Sequence, residues 1–225
     1  MTKVSAGSFD LNKWLFGGYE SDIVTVIYGG AGTGKTTFCL LTIVSQAKEG
    51  NKVLYIDTEG GFSVERIKQL VGEGYQKVLQ NILIMKPTDF SEQKKAFEKL
   101  REYLDQEVSL IVVDGMAIVY RLDYALAREK GEEFMGAINS ELIRQVKTLV
   151  EIARKKHIPV IVTNQVYNWQ EESKMVGGDI LKYWAKCLIE LTYDGKKRKV
   201  ILRKHRSLGE KELVFMIDNK GVKKI

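Results

Sequence analysis

The stretch GGAGTGKT at residues 29–36 decides the interpretation of this sequence. It matches the pattern G-x-x-x-x-G-K-[ST], in which glycines allow backbone N–H groups to converge on phosphate oxygens. An apolar run at Ile23–Tyr28 precedes the stretch, and a helical pattern follows it to about Glu49. A strand, a glycine-rich loop and a helix in this order place phosphate at the positive end of the helix. The sequence therefore predicts a nucleoside triphosphate site.

The residues of this loop have individual expected roles. Lys35 is expected to reach the β- and γ-phosphates, and the hydroxyl of Thr36 is expected to ligate Mg²⁺. A dinucleotide-binding loop is excluded, because no G-x-G-x-x-G can be drawn through these glycines. The candidate contacts of the nucleotide are Gly29, Gly30, Ala31, Gly32, Thr33, Gly34, Lys35, Thr36 and Thr37.

Short apolar runs alternate with helical patterns along most of the chain. Helices are predicted at Ser63–Val71, from the capping box Asp89–Glu92 to about Leu104, and from about Glu133 to Lys156. The strands predicted between and after them are Lys52–Asp57, Asn81–Met85, Leu110–Asp114 and Pro159–Thr163. Beyond about Trp184 the pattern becomes that of hairpins, with strands predicted at Lys186–Tyr193, Lys199–Lys204, Leu213–Ile217 and Val222–Ile225. The fold class is therefore α/β, a mostly parallel sheet flanked by helices, with a C-terminal antiparallel extension.

Polar side chains end three of the predicted strands at the edge where a ligand binds in such a sheet. Asp114 is expected to hold Mg²⁺ through a water, although it could instead cap a helix. Glu59 is expected to orient the attacking water as the catalytic base, although it could instead cap the helix near Ser63. Gln165 is expected to contact the γ-phosphate. The candidate catalytic residues are Glu59, Lys35 and Gln165, and the candidate metal ligands are Thr36 and Asp114.

Composition limits the class of protein. The chain has 225 residues, a length that fits one domain spanning 1–225. Its 2 cysteines are far apart, so neither a disulfide framework nor a zinc site is expected. No apolar run is long enough to span a membrane and no export signal begins the chain, so a cytoplasmic location is expected. Residues 195–225 hold 11 Lys/Arg and 3 Asp/Glu, which indicates either a polyanionic partner or a solvated basic hairpin.

Taken together, these segments resemble the RecA/RadA recombinase family over nearly the whole chain. The matching stretches are Val4–Leu15, residues 29–36, YIDTEGGF at 55–62 with Glu65-Arg66, the strand ending at Asp114, residues 152–154 leading to Asn164-Gln165-Val166, and Lys204-His205-Arg206. The resemblance implies a RecA-like P-loop NTPase core. Because the core begins almost at Met1, the expected relative is a short archaeal paralogue without an N-terminal helical DNA-binding domain.

The resemblance also implies a function. An accessory protein of recombination and DNA repair is expected, which binds ATP, Mg²⁺ and single-stranded or branched DNA, hydrolyses ATP weakly and does not drive strand exchange. Recombinases or other repair proteins are its expected partners. Arg66 would pack on adenine, while Lys204 and Arg206 would reach a neighbour's nucleotide in a homo-oligomer.

The expected DNA contacts lie in two family loops and one hairpin. The loops fall at about 121–136 and 166–178, each with a charge balance of −1, and the second offers Tyr167 and Trp169 for stacking on bases. Both aromatic residues could equally pack on the domain. The better candidates for phosphate contacts are Lys196, Lys197, Arg198 and Lys199 at the C-terminal hairpin tip.

Two other functions fit the same motifs. A KaiC-like regulatory ATPase with no direct DNA role would fit Lys204-x-Arg206 and the acidic loops. A nucleotide-gated mediator, in which ATP locks the fold and hydrolysis matters little, would fit the same motifs. A small-molecule kinase is disfavoured because no arginine-rich lid segment is present.

Overall fold

The fold is built around the strand that leads into residues 29–36. The computed structural model describes residues 2–104, 107–169 and 172–225. The strands are β1 (Lys3–Val4), β2 (Tyr19–Glu20), β3 (Val24–Gly29), β4 (Lys52–Asp57), β5 (Ile82–Met85), β6 (Val108–Asp114), β7 (Val160–Trp169), β8 (Glu172–Met175), β9 (Cys187–Asp194), β10 (Lys197–Lys204), β11 (Lys211–Asp218) and β12 (Gly221–Lys224). The helices are α1 (Phe9–Trp14), α2 (Lys35–Lys48), α3 (Val64–Val71), α4 (Tyr75–Leu79), α5 (Phe90–Tyr103), α6 (Ile118–Lys130), α7 (Glu132–Lys156) and α8 (Gly178–Trp184).

The main sheet confirms the predicted fold class. Its strands follow the order β12-β11-β10-β9-β3-β7-β6-β4-β5, and β8 pairs with β7. The six strands from β9 to β5 are mutually parallel, whereas β10, β11 and β12 extend the sheet in antiparallel fashion. Because parallel strands point the same way, the carboxyl ends of β3, β4, β6 and β7 meet at one edge.

Apolar layers cover both faces of the parallel strands. Along β6, Leu110 and Val112 enter a core packed under α2, whereas Ile111 and Val113 enter a second core shared with α5 and α7. Burial on both faces explains why this strand is a continuous apolar run rather than an alternating one. The helices begin at the predicted caps, since Ser63 and Asp89 accept hydrogen bonds from the N–H groups of Arg66 and Glu92. None of the helices in the described ranges is long and apolar enough to cross a membrane.

Two segments predicted as loops are regular structure instead. The prediction for 121–136 was wrong, because α6 continues to Lys130 and α7 begins at Glu132, with only Gly131 between them. The inward side of α6, which includes Tyr120 and Ala127, is buried, and this burial stabilises the helix. The prediction for 166–178 was wrong for most of its length, because β7 extends to Trp169 and pairs with β8.

A buried carboxylate ties the N-terminal hairpin to the C-terminal half of the sheet. Glu20 in β2 is 3% exposed and accepts hydrogen bonds from Arg206 Nε and Ser207 Oγ in the β10–β11 connection. Burial alone would raise the pKa of Glu20, but the hydrogen bond from Arg206 and the nearby His205 outweigh it and lower the pKa. Arg206 is therefore part of the fold's own framework.

Removing the Arg206 side chain should destabilise the fold. In Arg206→Ala the Glu20 carboxylate stays buried without its cation, which should lower the free energy of unfolding at pH 7 by about 3 kcal/mol. The stabilisation by the ionised Glu20 is fully present above the ordinary Glu pKa of 4.5 and is lost as the pH falls through the lowered pKa of Glu20. The difference in unfolding free energy between wild type and Arg206→Ala should therefore shrink in acid. Urea unfolding at several pH values measures this, and a pH-independent difference would contradict the assignment.

Candidate nucleotide-binding site

The phosphate loop joins the end of β3 to the start of α2. Gly34 caps α2 in a left-handed conformation (φ 110°) that favours glycine, and a Cβ there would lie 2.6 Å from Ile217 Cδ1. Lys35 is buried, and its Nζ donates to the carbonyl oxygens of Gly29 and Gly30 at 3.1 and 3.0 Å. The Lys35 ammonium group therefore links the end of the loop to its first two residues. Thr33 braces the loop as well by donating to the Gly30 carbonyl.

The C-terminal hairpin holds the middle of this loop. Tyr193 Oη donates to the Gly32 carbonyl at 3.0 Å, and Arg198 Nε and Nη2 approach the same oxygen at 3.3 Å. The Arg198 guanidinium also lies over the Tyr193 ring, 5.6 Å from its centroid. Sequence reasoning missed Tyr193, because only the sheet order brings the β9–β10 turn to the loop.

Asp114 is fully buried where β6 ends. Its two carboxylate oxygens accept hydrogen bonds from Tyr55 Oη at 2.7 Å and from Thr163 Oγ1 at 2.5 Å. An added Cβ on Gly61 would lie within 3.7 Å of Asp114 Oδ2 and 3.3 Å of Thr36 Oγ1. The carboxylate and the Thr36 hydroxyl therefore border the same space, a donor set of oxygens that suits Mg²⁺.

Tyr55 and Thr163 were not predicted as site residues. Each lies inside an apolar strand, and no motif marks a hydroxyl there. A usable signal exists in the sequence, because a polar group inside a buried strand requires a hydrogen-bond partner on a neighbouring strand.

The predicted base and the predicted γ-phosphate sensor contact each other. Gln165 Nε2 donates to Glu59 Oε2 at 3.1 Å, which joins the loop after β4 to β7. Partial burial, followed by the charge of Asp114, raises the pKa of the Glu59 carboxyl. Desolvation lowers the pKa of Lys35, although Glu59 and Asp114 oppose the shift. The crevice therefore places Lys35 among carboxylates.

The loop after β4 is fixed by side-chain hydrogen bonds to its own backbone and to the backbone of the loop after β6. Asp57 accepts from the N–H groups of Gly61 and Phe62 at 3.0 Å, and Thr58 exchanges hydrogen bonds with Gly115. A Cβ on Gly115 would lie 2.4 Å from Glu59 Oε1. Glycine at 115 thus leaves the room that the Glu59 carboxylate occupies.

Arg66 contacts the end of β11. Its Nη2 donates to the carbonyl of Asp218 at the end of β11, and its Nη1 donates to Gln69. Ile217, the residue before Asp218, also approaches Gly34 of the loop. Arg66 is therefore joined to the end of β11, next to the residue that packs at the start of α2.

Lys204 and Arg206 lie far from this crevice within the chain. β10 is antiparallel to β9, so Arg198 reaches the phosphate loop while Lys204 pairs with Leu188 at the opposite end of the sheet. Lys204 Nζ donates to the carbonyl of Lys182, and Arg206 pairs with Glu20. A role for either at a nucleotide would require another subunit stacked against this end.

The predicted DNA residues divide into several environments. Lys196 and Lys197 are exposed at the hairpin tip, whereas Arg198 contacts Gly32 and Lys199 pairs with Glu212 at 3.5 Å. Tyr167 is 37% exposed and lies under Arg121, whose guanidinium is 5.9 Å from the ring centroid. The backbone of Trp169 belongs to β7, but its side chain lies outside what the structure describes.

The helix α6 and the β7–β8 hairpin together form a groove of about 740 Å³. It is lined by aromatic residues that include Tyr124 and Tyr167, and by Arg121 and Arg128. Stacking surfaces beside arginines are suited to unpaired bases and phosphates.

This fold and this crevice define a RecA-like P-loop NTPase core. A family model described as Rad51 matches residues 1–225, and the chain belongs to that family. The resemblance to the RecA/RadA family inferred from the motifs is therefore confirmed.

Several similar proteins are named RadB. The chain is 40% identical over 212 residues to the DNA repair and recombination protein RadB of Methanocaldococcus jannaschii, covering 94% of this chain and 98% of that protein. It is 38% identical over 213 residues to RadB of Methanococcus maripaludis, covering 94% and 96%. The crystal structure of a RadB recombinase superimposes with a TM-score of 0.80 at 33% identity, covering 99% of both chains. The predicted similarity to a short archaeal paralogue is thus confirmed as similarity to RadB.

Filling the space beside Glu59 should impair hydrolysis without unfolding the chain. In Gly115→Ala the new methyl would displace the Glu59 carboxylate from Gln165, which should lower ATP turnover about 100-fold while ATP affinity changes little. Steady-state ATPase assays and nucleotide titration measure the two effects. Gly136→Ala is the matched control, because a Cβ there meets no atom within 4 Å. Equal turnover in the two variants would contradict the geometry.

Proposed function

We propose that this chain is a Mg²⁺-dependent ATPase of slow turnover that binds DNA without sequence specificity and assists recombination and repair without itself driving strand exchange. The observation that carries the proposal is the hydrogen bond between Gln165 and Glu59. It connects the residue expected to activate water with a strand that continues into the aromatic β7–β8 hairpin. The names of the RadB relatives support the role in repair and recombination.

The crevice contains the groups that ATP hydrolysis requires. The phosphate loop and the N-terminus of α2 bind phosphate oxygens, and Lys35 contributes a cation at the β- and γ-phosphates. Thr36 and the buried Asp114 would hold Mg²⁺, directly and through water respectively, and the ion would supply positive charge to the phosphates. Glu59 then accepts a proton from the attacking water, while Gln165 keeps its carboxylate oriented.

We attribute slow turnover to the positions of Lys204 and Arg206 within one chain. Lys204 and Arg206 lie at the opposite end of the sheet and make contacts inside the subunit. A cation supplied by a neighbour stabilises the transition state of phosphoryl transfer, so an isolated chain is slow and an assembled one is faster. We propose that Lys204 and Arg206 act in this way only when subunits associate.

DNA binding is proposed at the groove between α6 and the β7–β8 hairpin, with support from the hairpin tip. Tyr167 stacks on bases of single-stranded or branched DNA, a role that the sequence also predicts for Trp169, and Lys196 and Lys197 contact phosphates. The few cations in these elements favour weak, salt-sensitive binding. A recombinase or another repair protein would then act on the DNA that this chain occupies.

Replacing Glu59 should abolish most hydrolysis and leave binding intact. Glu59→Gln keeps the hydrogen bond with Gln165 but cannot accept a proton, so turnover should fall about 100- to 10,000-fold. The assay is steady-state ATP hydrolysis titrated with single-stranded DNA, with Lys35→Ala as the blank. Glu73→Gln is the matched control, because Glu73 is exposed and lies outside the crevice.

The DNA titration separates the proposed function from its alternatives. Stimulation of wild-type turnover by DNA is the expected result. Turnover above the blank that is indifferent to DNA would favour a regulatory ATPase without a direct DNA role. Turnover equal to the blank, with ATP still bound, would favour a mediator that uses ATP as a structural ligand.

The pH dependence of kcat should report the raised pKa of Glu59. Burial and Asp114 raise the pKa of this carboxyl above its ordinary 4.5, and only the ionised form accepts a proton. The acid limb of kcat at saturating ATP should therefore fall at a pH above 4.5. Measuring kcat across pH tests this, and a limb at or below 4.5 would exclude Glu59 as the base.

A further inference from the structure

We propose that a second nucleic acid site, specific for single strands, lies in the groove between α7 and α8 at the end of the sheet opposite the phosphate loop. The inference rests on the proposed DNA-binding function and adds a site that neither the family loops nor the hairpin tip include. The groove encloses about 990 Å³, which is large enough for a nucleotide unit. It lies where β3 and β9 begin.

Two cations in this groove have no acidic partner among the described residues. Arg154 on α7 and Lys186 after α8 are both exposed, and neither makes an ion pair in the described ranges. Two acidic side chains lie along the groove: Asp22 contacts His157 Nδ1 at 2.9 Å, and Glu151 lies 4.0 Å from Lys147 and Lys155. Arg206 also lines the groove, but Glu20 balances its charge. Arg154 and Lys186 together exceed the charge of Asp22, so the groove lining carries a positive excess that attracts phosphate.

An open aromatic surface lies beside these cations. The Tyr183 ring is 76% exposed, and it stands nearly perpendicular to Trp184, with 5.6 Å between ring centroids and 86° between planes. Trp184 packs against the apolar core and thereby fixes the position of the neighbouring Tyr183, whose ring remains exposed. An exposed tyrosine on an anchored support beside unpaired cations is the arrangement that binds single-stranded nucleic acid.

The groove continues along α7, which favours a strand over a single nucleotide. A second cavity of about 450 Å³ shares Val150, Arg154 and Trp184 with the first and extends to Lys147 and Lys155. A chain of phosphates can follow this line while its bases contact Tyr183 and the apolar floor. Duplex DNA is disfavoured, because its bases are stacked on each other and are unavailable to the tyrosine.

Fluorescence anisotropy with a labelled oligo-dT at several salt concentrations tests this site. Tyr183→Ala should raise the Kd about 5- to 100-fold with little change in salt dependence, and Tyr183→Phe should restore binding because the ring remains. Lys186→Gln should reduce the slope of log affinity against log salt by about 0.7. Lys95→Gln makes the same charge change at an exposed position of α5 and should leave the slope unchanged. The four variants change three exposed positions, so folding should be retained.

The outcomes that overturn the proposal are distinct. If wild type binds the oligomer and Tyr183→Ala and Lys186→Gln bind equally well, this site is absent while the proposed function stands. If wild type does not bind at low salt, both fail. Unlabelled dTMP and unlabelled oligo-dT can be compared as competitors of the labelled oligomer. If the two compete equally at the same nucleotide concentration, the groove holds mononucleotides rather than strands. If the Tyr183→Ala substitution changes sedimentation of the ATP-loaded protein but not oligo-dT affinity, the groove is a contact between copies of this chain.

Discussion

The buried carboxylate of Asp114 is the constraint on which the crevice depends. Burying a charge is costly unless it is hydrogen-bonded, and Tyr55 and Thr163 meet that demand from the two strands beside β6. The three strand ends are thereby held in register. Burial is the main cause that raises the pKa of Glu59 and lowers that of Lys35, and the charge of Asp114 adds to the first shift and opposes the second. Glycine at 61 and at 115 leaves space around this centre that any side chain would occupy.

Motifs with a local physical cause were the parts of the fold that the sequence could predict. The phosphate loop, the apolar strands β3, β4 and β6, and the caps at Ser63 and Asp89 each depend on neighbouring residues, and each appears within a few residues of its predicted position. The α6 helix was missed because family loops were placed at 121–136, although the segment from Ile118 to Lys130 is rich in helix-forming residues. The contacts of Tyr193 and Arg198 with Gly32 depend on sheet order, which no local pattern encodes.

The C-terminal excess of positive charge has more than one role in the structure. Arg198 supports the phosphate loop, Arg203 pairs with Glu190 and Glu210, and Arg206 neutralises the buried Glu20. A count of charges along the sequence therefore overstated what the hairpin offers to a polyanion. Lys196 and Lys197 remain exposed, and cations on α7 and after α8 add to the positive field at the far end of the sheet.

The two ends of the parallel sheet thus have opposite character. The carboxyl ends of the strands present Asp114, Glu59 and the phosphate loop, whereas the other end presents Lys204, Arg206 and the groove of Arg154. The strand β3 runs between these ends and pairs with β7 on one side and with β9 on the other. Because Lys204 and Arg206 lie at the opposite end of the sheet from the phosphate loop, we propose that they reach the nucleotide crevice of a neighbouring chain. Such a contact would make association, rather than a change within the strands, the event that sets the rate of hydrolysis.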